Sequence, residues 1–158
     1  SRAYHHTAPI SMLYGLHEAL RLVHEEGLAP RFARHQLNSN ALLAGLEPLG
    51  FIPLPSEGHR LPMLNCVTLP SPIDDVSVRT RLLQDYAIEI GGGLGPLRGK
   101  VWRIGLMGES CRQEHVLTLL NALEEIFAQN GWLEQPGRAV QAAVETYSHS
   151  QLSARRRA

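Results

Sequence analysis

Arg103 is the residue of this sequence with the most pointed chemistry. It lies in Val101-Trp102-Arg103-Ile104-Gly105-Leu106, a strand pattern with apolar neighbours on both sides. A guanidinium in such a strand must find a partner, because an unpaired buried charge is costly. Its planar fork matches a carboxylate through two parallel hydrogen bonds. Two partners are open: a structural salt bridge to Glu89 or a helix acid, or a small carboxylate ligand. The glycine run just upstream favours the ligand, since loop and arginine would share one end of a sheet.

That run, Gly91-Gly92-Gly93-Leu94-Gly95-Pro96, fits neither familiar phosphate-binding pattern. A dinucleotide fingerprint needs G-x-G-x-x-G between a strand and a helix. Here the spacing is wrong, and a strand follows. A P-loop needs four residues before Gly-Lys and then Ser or Thr, whereas Gly95-Pro96-Leu97-Arg98-Gly99-Lys100-Val101 has three and then valine. Two readings stay open, a flexible connection between strands or a loop that lets a ligand approach the backbone closely.

The remaining reactive side chains are sparse. Fourteen arginines accompany a single lysine, so lysine chemistry must use Lys100 or a residue outside this chain. Tyr4-His5-His6-Thr7 precedes a helical pattern, and adjacent histidines diverge too far for a metal site without a third ligand. His17 and His24 also lack an obvious partner. No metal is expected. The hydroxyls of Tyr4 and Thr7 beside a helix N-terminus suit an anion, although Thr7 could merely cap that helix. Cys66 and Cys111 lie far apart and form no CxxC pair, so packing is their default role.

Elements to position these residues can be read from periodicity. Pro9 opens a helix with Ile10, Leu13, Leu16, Leu20 and Val23 on one side, stopped by Gly27. This helix has no strand before it to pack on, as if it were the end of something larger. A second helix is expected from Pro30 to Leu49, burying Phe32, Leu42, Leu43 and Leu46. Phe51 to Leu54 reads as an edge strand because of Pro53. Met63 to Leu69 reads as a better one. Asp74 should cap a helix ending near Tyr86. Short strands follow at Ile88 to Ile90 and Val101 to Leu106. Ser110 and Gln113 suggest a capping box for a helix burying Val116, Leu119, Leu120, Leu123 and Phe127, ended by Gly131. Residues 139–146 suggest one more helix, and 153–158 a frayed basic tail. This order predicts an α/β fold with a mostly antiparallel sheet and helices on one face.

The whole chain has 158 residues, 44% of them apolar, and 15 basic against 15 acidic side chains. That balance lacks the electrostatic footprint of a general nucleic-acid binder, and Arg155-Arg156-Arg157 is too short to supply one. No apolar run approaches a membrane span, and no secretory leader opens the sequence. A cytoplasmic protein is expected. The start at Ser1, with the first methionine at Met12, reads as something other than an intact translation start.

Two blocks resemble a known family. Tyr4-His5-His6-Thr7-Ala8-Pro9 resembles the late part of class V pyridoxal-phosphate aminotransferases. Ile88-Glu89-Ile90-Gly91-Gly92-Gly93-Leu94-Gly95-Pro96 with Gly99-Lys100-Val101-Trp102-Arg103-Ile104-Gly105-Leu106-Met107-Gly108 resembles them more closely, nearest to the alanine–glyoxylate (serine–pyruvate) group. The resemblance covers roughly residues 4–130. It implies the C-terminal domain of the aspartate-aminotransferase-like, fold type I architecture. Residues 1–27 would be the end of a large domain and a connecting helix, 28–131 the small domain, and 132–158 a partly disordered extension. It implies further that Arg103 binds the substrate carboxylate, and that Tyr4 and Thr7 reach the cofactor phosphate of a neighbouring subunit in a homodimer. Pyridoxal 5'-phosphate would sit on a lysine outside this chain, so the chain alone would be inactive. The substrates implied are a small amino acid, alanine or serine, and an oxo acid, glyoxylate or pyruvate. Cysteine desulfurases and phosphoserine aminotransferases share the architecture, and a non-catalytic domain binding a carboxylate metabolite or a partner chain is the alternative from another class.

Overall fold

A computed structural model describes residues 5–155 except Glu134 and the side chains of 153–155. Two compact units divide it, Ser1–Ala33 and Arg34–Ala158. The first is dominated by helix α1, Ile10–Glu26, which begins after Pro9 and ends at Gly27, where φ is 81° and the amide reaches the Val23 carbonyl. Glycine takes that conformation without the penalty a Cβ would bring. None of the α1 side chains is buried. Leu13, Leu16 and Leu20 are exposed, as are Met12 and Tyr14.

Helix α2, Leu28–Leu46, starts two residues earlier than its periodicity suggests and tightens into a 3₁₀ turn over Glu47–Leu49 before Gly50. Ala41, Leu42 and Leu46 are buried, but Phe32 is 65% exposed. The expectation for Phe32 fails because the buried stretch of α2 begins only at Asn38, and Phe32 belongs to the first unit, not to the one that carries the core.

The second unit is built on a four-stranded sheet in the order β1-β2-β4-β3, antiparallel throughout. Strand β1 is Ile52–Pro53, at one edge where proline's missing donor does no harm. Strand β2 is Leu64–Thr68 and β4 is Val101–Gly105, paired along their full lengths. Strand β3 is Gly91–Gly92, not the expected Ile88–Ile90. The reason lies in how helix α3, Asp75–Tyr86, ends. Ala87 turns left-handed (φ 54°) and the Ile88 amide bonds back to Leu82, so the chain is extended beside β4 only from Gly91. The start of α3 is as expected, with the Asp74 carboxylate accepting from the Ser77 amide at 2.7 Å.

Helix α4, Gln113–Gln129, buries Val116, Leu119, Leu120, Leu123 and Phe127 as its spacing predicts. Its capping box does not form. Residues Gly108–Ser110 make a separate 3₁₀ turn, so Ser110 lies ahead of the helix, and Arg112 stands at the cap without a side-chain bond. Helix α5, Arg138–Arg155, is longer than the segment 139–146 and contributes to the core: Ala139 and Ala143 are fully buried and Tyr147 nearly so. Its first turn is capped from another helix, the buried Glu124 carboxylate of α4 accepting from the Ala139 amide at 2.6 Å. Close approach is permitted by small residues, since a Cβ on Gly45 would come within 2.9 Å of the Ala139 carbonyl.

One face of the sheet carries the core. Val67, Trp102 and Ile104 pack with Leu42, Leu46, Val78, Leu82, Leu120 and Phe127 from α2, α3 and α4. Each such side chain contributes about 1.5–3 kcal/mol by leaving water. Alternation along β4 sends Arg103 and Gly105 to the other face.

Candidate functional site

Arg103 is half-buried on the face of the sheet opposite the core, with Cys66 of β2 beside it on one flank and Gly91 of β3 on the other. Its guanidinium lies across Gly91, where a Cβ would come within 3.2 Å of Nη2. Nε donates to the Gly92 carbonyl at 2.9 Å. Among the described residues no carboxylate pairs with Arg103. The internal salt bridge to Glu89 or a helix acid, one of the two partners open from sequence, is therefore not made there. Nη1 and Nη2 point to no protein acceptor among these residues and remain able to grip a planar anion.

Behind this strand stands a polar cluster that pattern reading passed over. Asp75, in the first turn of α3 and only 7% exposed, accepts from Arg79 one turn on, Nε to Oδ1 at 2.7 Å and Nη2 to Oδ2 at 3.2 Å. Its Oδ1 also accepts the indole N–H of Trp102 at 2.8 Å. The Arg79 hydrogen bonds, then the Trp102 bond, hold the Asp75 carboxyl below the ordinary aspartate value against the opposing effect of burial, and Asp75 in turn raises Arg79. Such a buried carboxylate is tolerable because three N–H groups replace its water. The i, i+4 spacing of Asp75 and Arg79 is visible in the sequence; the indole partner is not, because it arrives from a strand 27 positions away.

The glycine run has a steric explanation. A Cβ on Gly93 would stand 2.0 Å from the Leu97 carbonyl oxygen and 2.5 Å from its carbon. Backbone closes on backbone here, through the turn Gly95–Leu97 and the bonds Leu97 to Leu94 and Lys100 to Leu97. The segment is a folded turn with its own hydrogen bonds, and the atoms approaching Gly93 belong to the chain itself.

Lys100 is exposed on the connection into β4, where its carbonyl accepts from the Leu69 amide. Thr7 is exposed ahead of α1 and does not cap it, since Pro9 occupies the cap with no side-chain bond. Tyr4 lies outside the described residues. Thr7 and Arg103 fall in different units. A cavity of about 260 Å³ opens between the Ala87–Ile90 segment, the end of β4 and the start of α4, with Glu89 and His115 among apolar walls; Arg103 does not line it. Among the described residues no helix is long and apolar enough to cross a membrane.

No protein-family model matches the chain. Individual proteins do. Over 149 residues it is 44% identical to the (S)-ureidoglycine–glyoxylate transaminase of Bacillus subtilis, covering 94% of this chain and 36% of that protein. Over 125 residues it is 42% identical to the alanine–glyoxylate aminotransferase of Drosophila melanogaster, covering 78% of this chain and 32% of that one. The crystal structure of the B. subtilis ureidoglycine–glyoxylate aminotransferase superposes with a TM-score of 0.85 at 44% identity, over 90% of this chain and 37% of that one. The chain thus spans about a third of the length of the curated relatives it matches. Its α/β fold is that of fold type I aminotransferases. By sequence and by fold the chain belongs with the alanine–glyoxylate and ureidoglycine–glyoxylate aminotransferases, as a portion about a third of their length.

Proposed function

We propose that the chain is the C-terminal portion of a class V, pyridoxal-phosphate-dependent aminotransferase in which Arg103 grips the carboxylate of the amino-acid and oxo-acid substrates. The observation that carries this is a strand arginine whose Nε is engaged by Gly92 and which no carboxylate neutralises among the described residues. Glyoxylate is named for both relatives, so it is the preferred oxo acid of this reading, with alanine, serine or ureidoglycine as amino donor. The bidentate fork would orient the substrate relative to the reacting carbon, a positioning effect that lowers the entropic part of the barrier.

Residues 1–27 are read as the end of a large domain and its connecting helix, 28–131 as the small domain, and 132–158 as an extension that adds α5. The exposed apolar side chains of α1 support a homodimer of the complete protein. Thr7, a hydroxyl not used for capping beside an uncapped helix start, is chemically suited to the cofactor phosphate, and Tyr4 is proposed for the same task. The only lysine, Lys100, is exposed on a connection and unsuited to hold the cofactor, whose lysine is placed outside this chain. When bound, pyridoxal phosphate supplies the electron sink for amino transfer.

The complete protein tests this reading. Borohydride reduction with pyridoxal phosphate should leave its adduct on a lysine outside residues 1–158; an adduct on Lys100, or none, overturns the proposal. Arg103→Lys keeps the charge but loses the fork. It should raise the KM for amino acid and oxo acid about thirtyfold, the equivalent of roughly 2 kcal/mol, with cofactor content unchanged.

A further inference from the structure

We infer that Asp75, acting through Arg79 and Trp102, is a positioning residue that aims the Arg103 guanidinium at its carboxylate ligand; this deepens the reading of Arg103 above and rests on it. Strand β3 is two glycines at the edge of the sheet, so no side chain of its own anchors it. Two arginines anchor it instead, one on each face. Arg103 lies across Gly91 and bonds the Gly92 carbonyl. Arg79 packs on Gly92 from the other side, where a Cβ would come within 3.1 Å of Nη2 and 3.3 Å of Cζ.

The two guanidinia differ in one respect. Arg79 is neutralised by the bidentate Asp75, whereas Arg103 has no carboxylate among the described residues. Asp75 therefore spends its charge on the brace and leaves the cation of Arg103 for a ligand. The same carboxylate fixes Trp102, the residue before Arg103 on β4, through the indole N–H. One side chain thus holds both neighbours of the gripping arginine: the strand position beside it, and the glycine whose carbonyl occupies Nε. With Nε taken, a carboxylate must approach end-on, across Nη1 and Nη2, and a shift of the Gly92 carbonyl would swing that fork.

The test uses the complete protein with its cofactor, glyoxylate binding to the pyridoxal form measured by calorimetry, and steady-state kinetics beside it. Asp75→Asn keeps an acceptor for Trp102 but frees Arg79, and Arg79→Met removes the brace. Each should raise the Kd for glyoxylate and the KM for amino donor about tenfold, with kcat at saturation changed less than about twofold and cofactor content unchanged. Combining them should be no worse than either alone, since both break one chain of contacts. Arg79→Lys, a cation without the planar face, should recover part of the loss. Should Asp75→Asn fold poorly, Arg79→Met, which leaves the Asp75–Trp102 bond in place, carries the test by itself. Unchanged Kd and KM in variants that merely melt earlier would reduce the cluster to a structural one and overturn the inference. Arg103→Lys run alongside separates the two readings: if it leaves Kd unchanged, the substrate role of Arg103 falls; if it raises Kd and the Asp75 and Arg79 variants do not, only the positioning role falls.

Discussion

Gly93→Ala is the substitution on which the account of the glycine run stands or falls. The new methyl would be placed 2.0 Å from the Leu97 carbonyl oxygen, 2.5 Å from its carbon and 2.9 Å from Val101 Cγ2. Ordinary contact lies beyond about 3.4 Å, so the turn must open by more than about 1 Å. Its obstacle is backbone, which cannot swing aside as a side-chain end could. Opening removes one or two turn hydrogen bonds, those of Leu97 to Leu94 and Lys100 to Leu97, at about 1 kcal/mol each, and adds about 1–2 kcal/mol of packing strain. A loss of about 2–4 kcal/mol follows, roughly thirtyfold to a thousandfold in the folding equilibrium. Two controls isolate the cause. Gly95 has φ +53° and open space around its Cβ position, so alanine there costs only left-handed strain, about 1 kcal/mol. Gly58 has open space and no positive φ, and its alanine variant should be near neutral. Urea unfolding of the chain, followed by the fluorescence of buried Trp102 and half-buried Trp132, measures all three. If Gly93→Ala unfolds at the same urea concentration as Gly58→Ala, the segment is the flexible connection that spacing alone also allowed.

Two further outcomes are expected, each beside the Arg103 prediction already stated. Tyr147→Phe should cost about 1–2 kcal/mol by leaving the buried Asn38 carbonyl without its donor, read from the urea midpoint. Because burial pushes the Tyr147 phenol up to about 12, its contribution is whole below the ordinary value of 10.0 and should fade as pH rises from there to about 12, a decline that the phenylalanine variant would lack. Glu124→Ala removes the acceptor for the Ala139 amide and should destabilise the chain by about 1–3 kcal/mol; hydrogen exchange should speed first at the start of α5, and protection retained there would show that the cap contributes nothing.

Periodicity and capping rules carried much of the fold. Asp74 caps α3, Leu42 and Leu46 face the core, and the α4 stripe from Val116 to Phe127 is buried, because each depends on neighbours within a turn or two. Arg103 was legible as a group in need of an anion because strand alternation and the cost of a buried charge are local arguments. What stayed hidden depends on parts of the chain that meet only after folding. The displacement of β3 from Ile88–Ile90 to Gly91–Gly92 follows from a left-handed Ala87 that no propensity favours. Helix α5 reads weakly by itself, since its buried residues are two alanines and one tyrosine, yet Gly45 and Glu124 on other helices give it a seat and a cap. The sequence alone therefore determined which residue types could bind a carboxylate and which segments would form α1 to α4 and strands β1, β2 and β4. Tertiary structure alone decided that Asp75, already paired with Arg79 one turn on, also meets the Trp102 indole, and that no carboxylate among the described residues reaches Arg103, because those distances exist only once α3 is packed on β4.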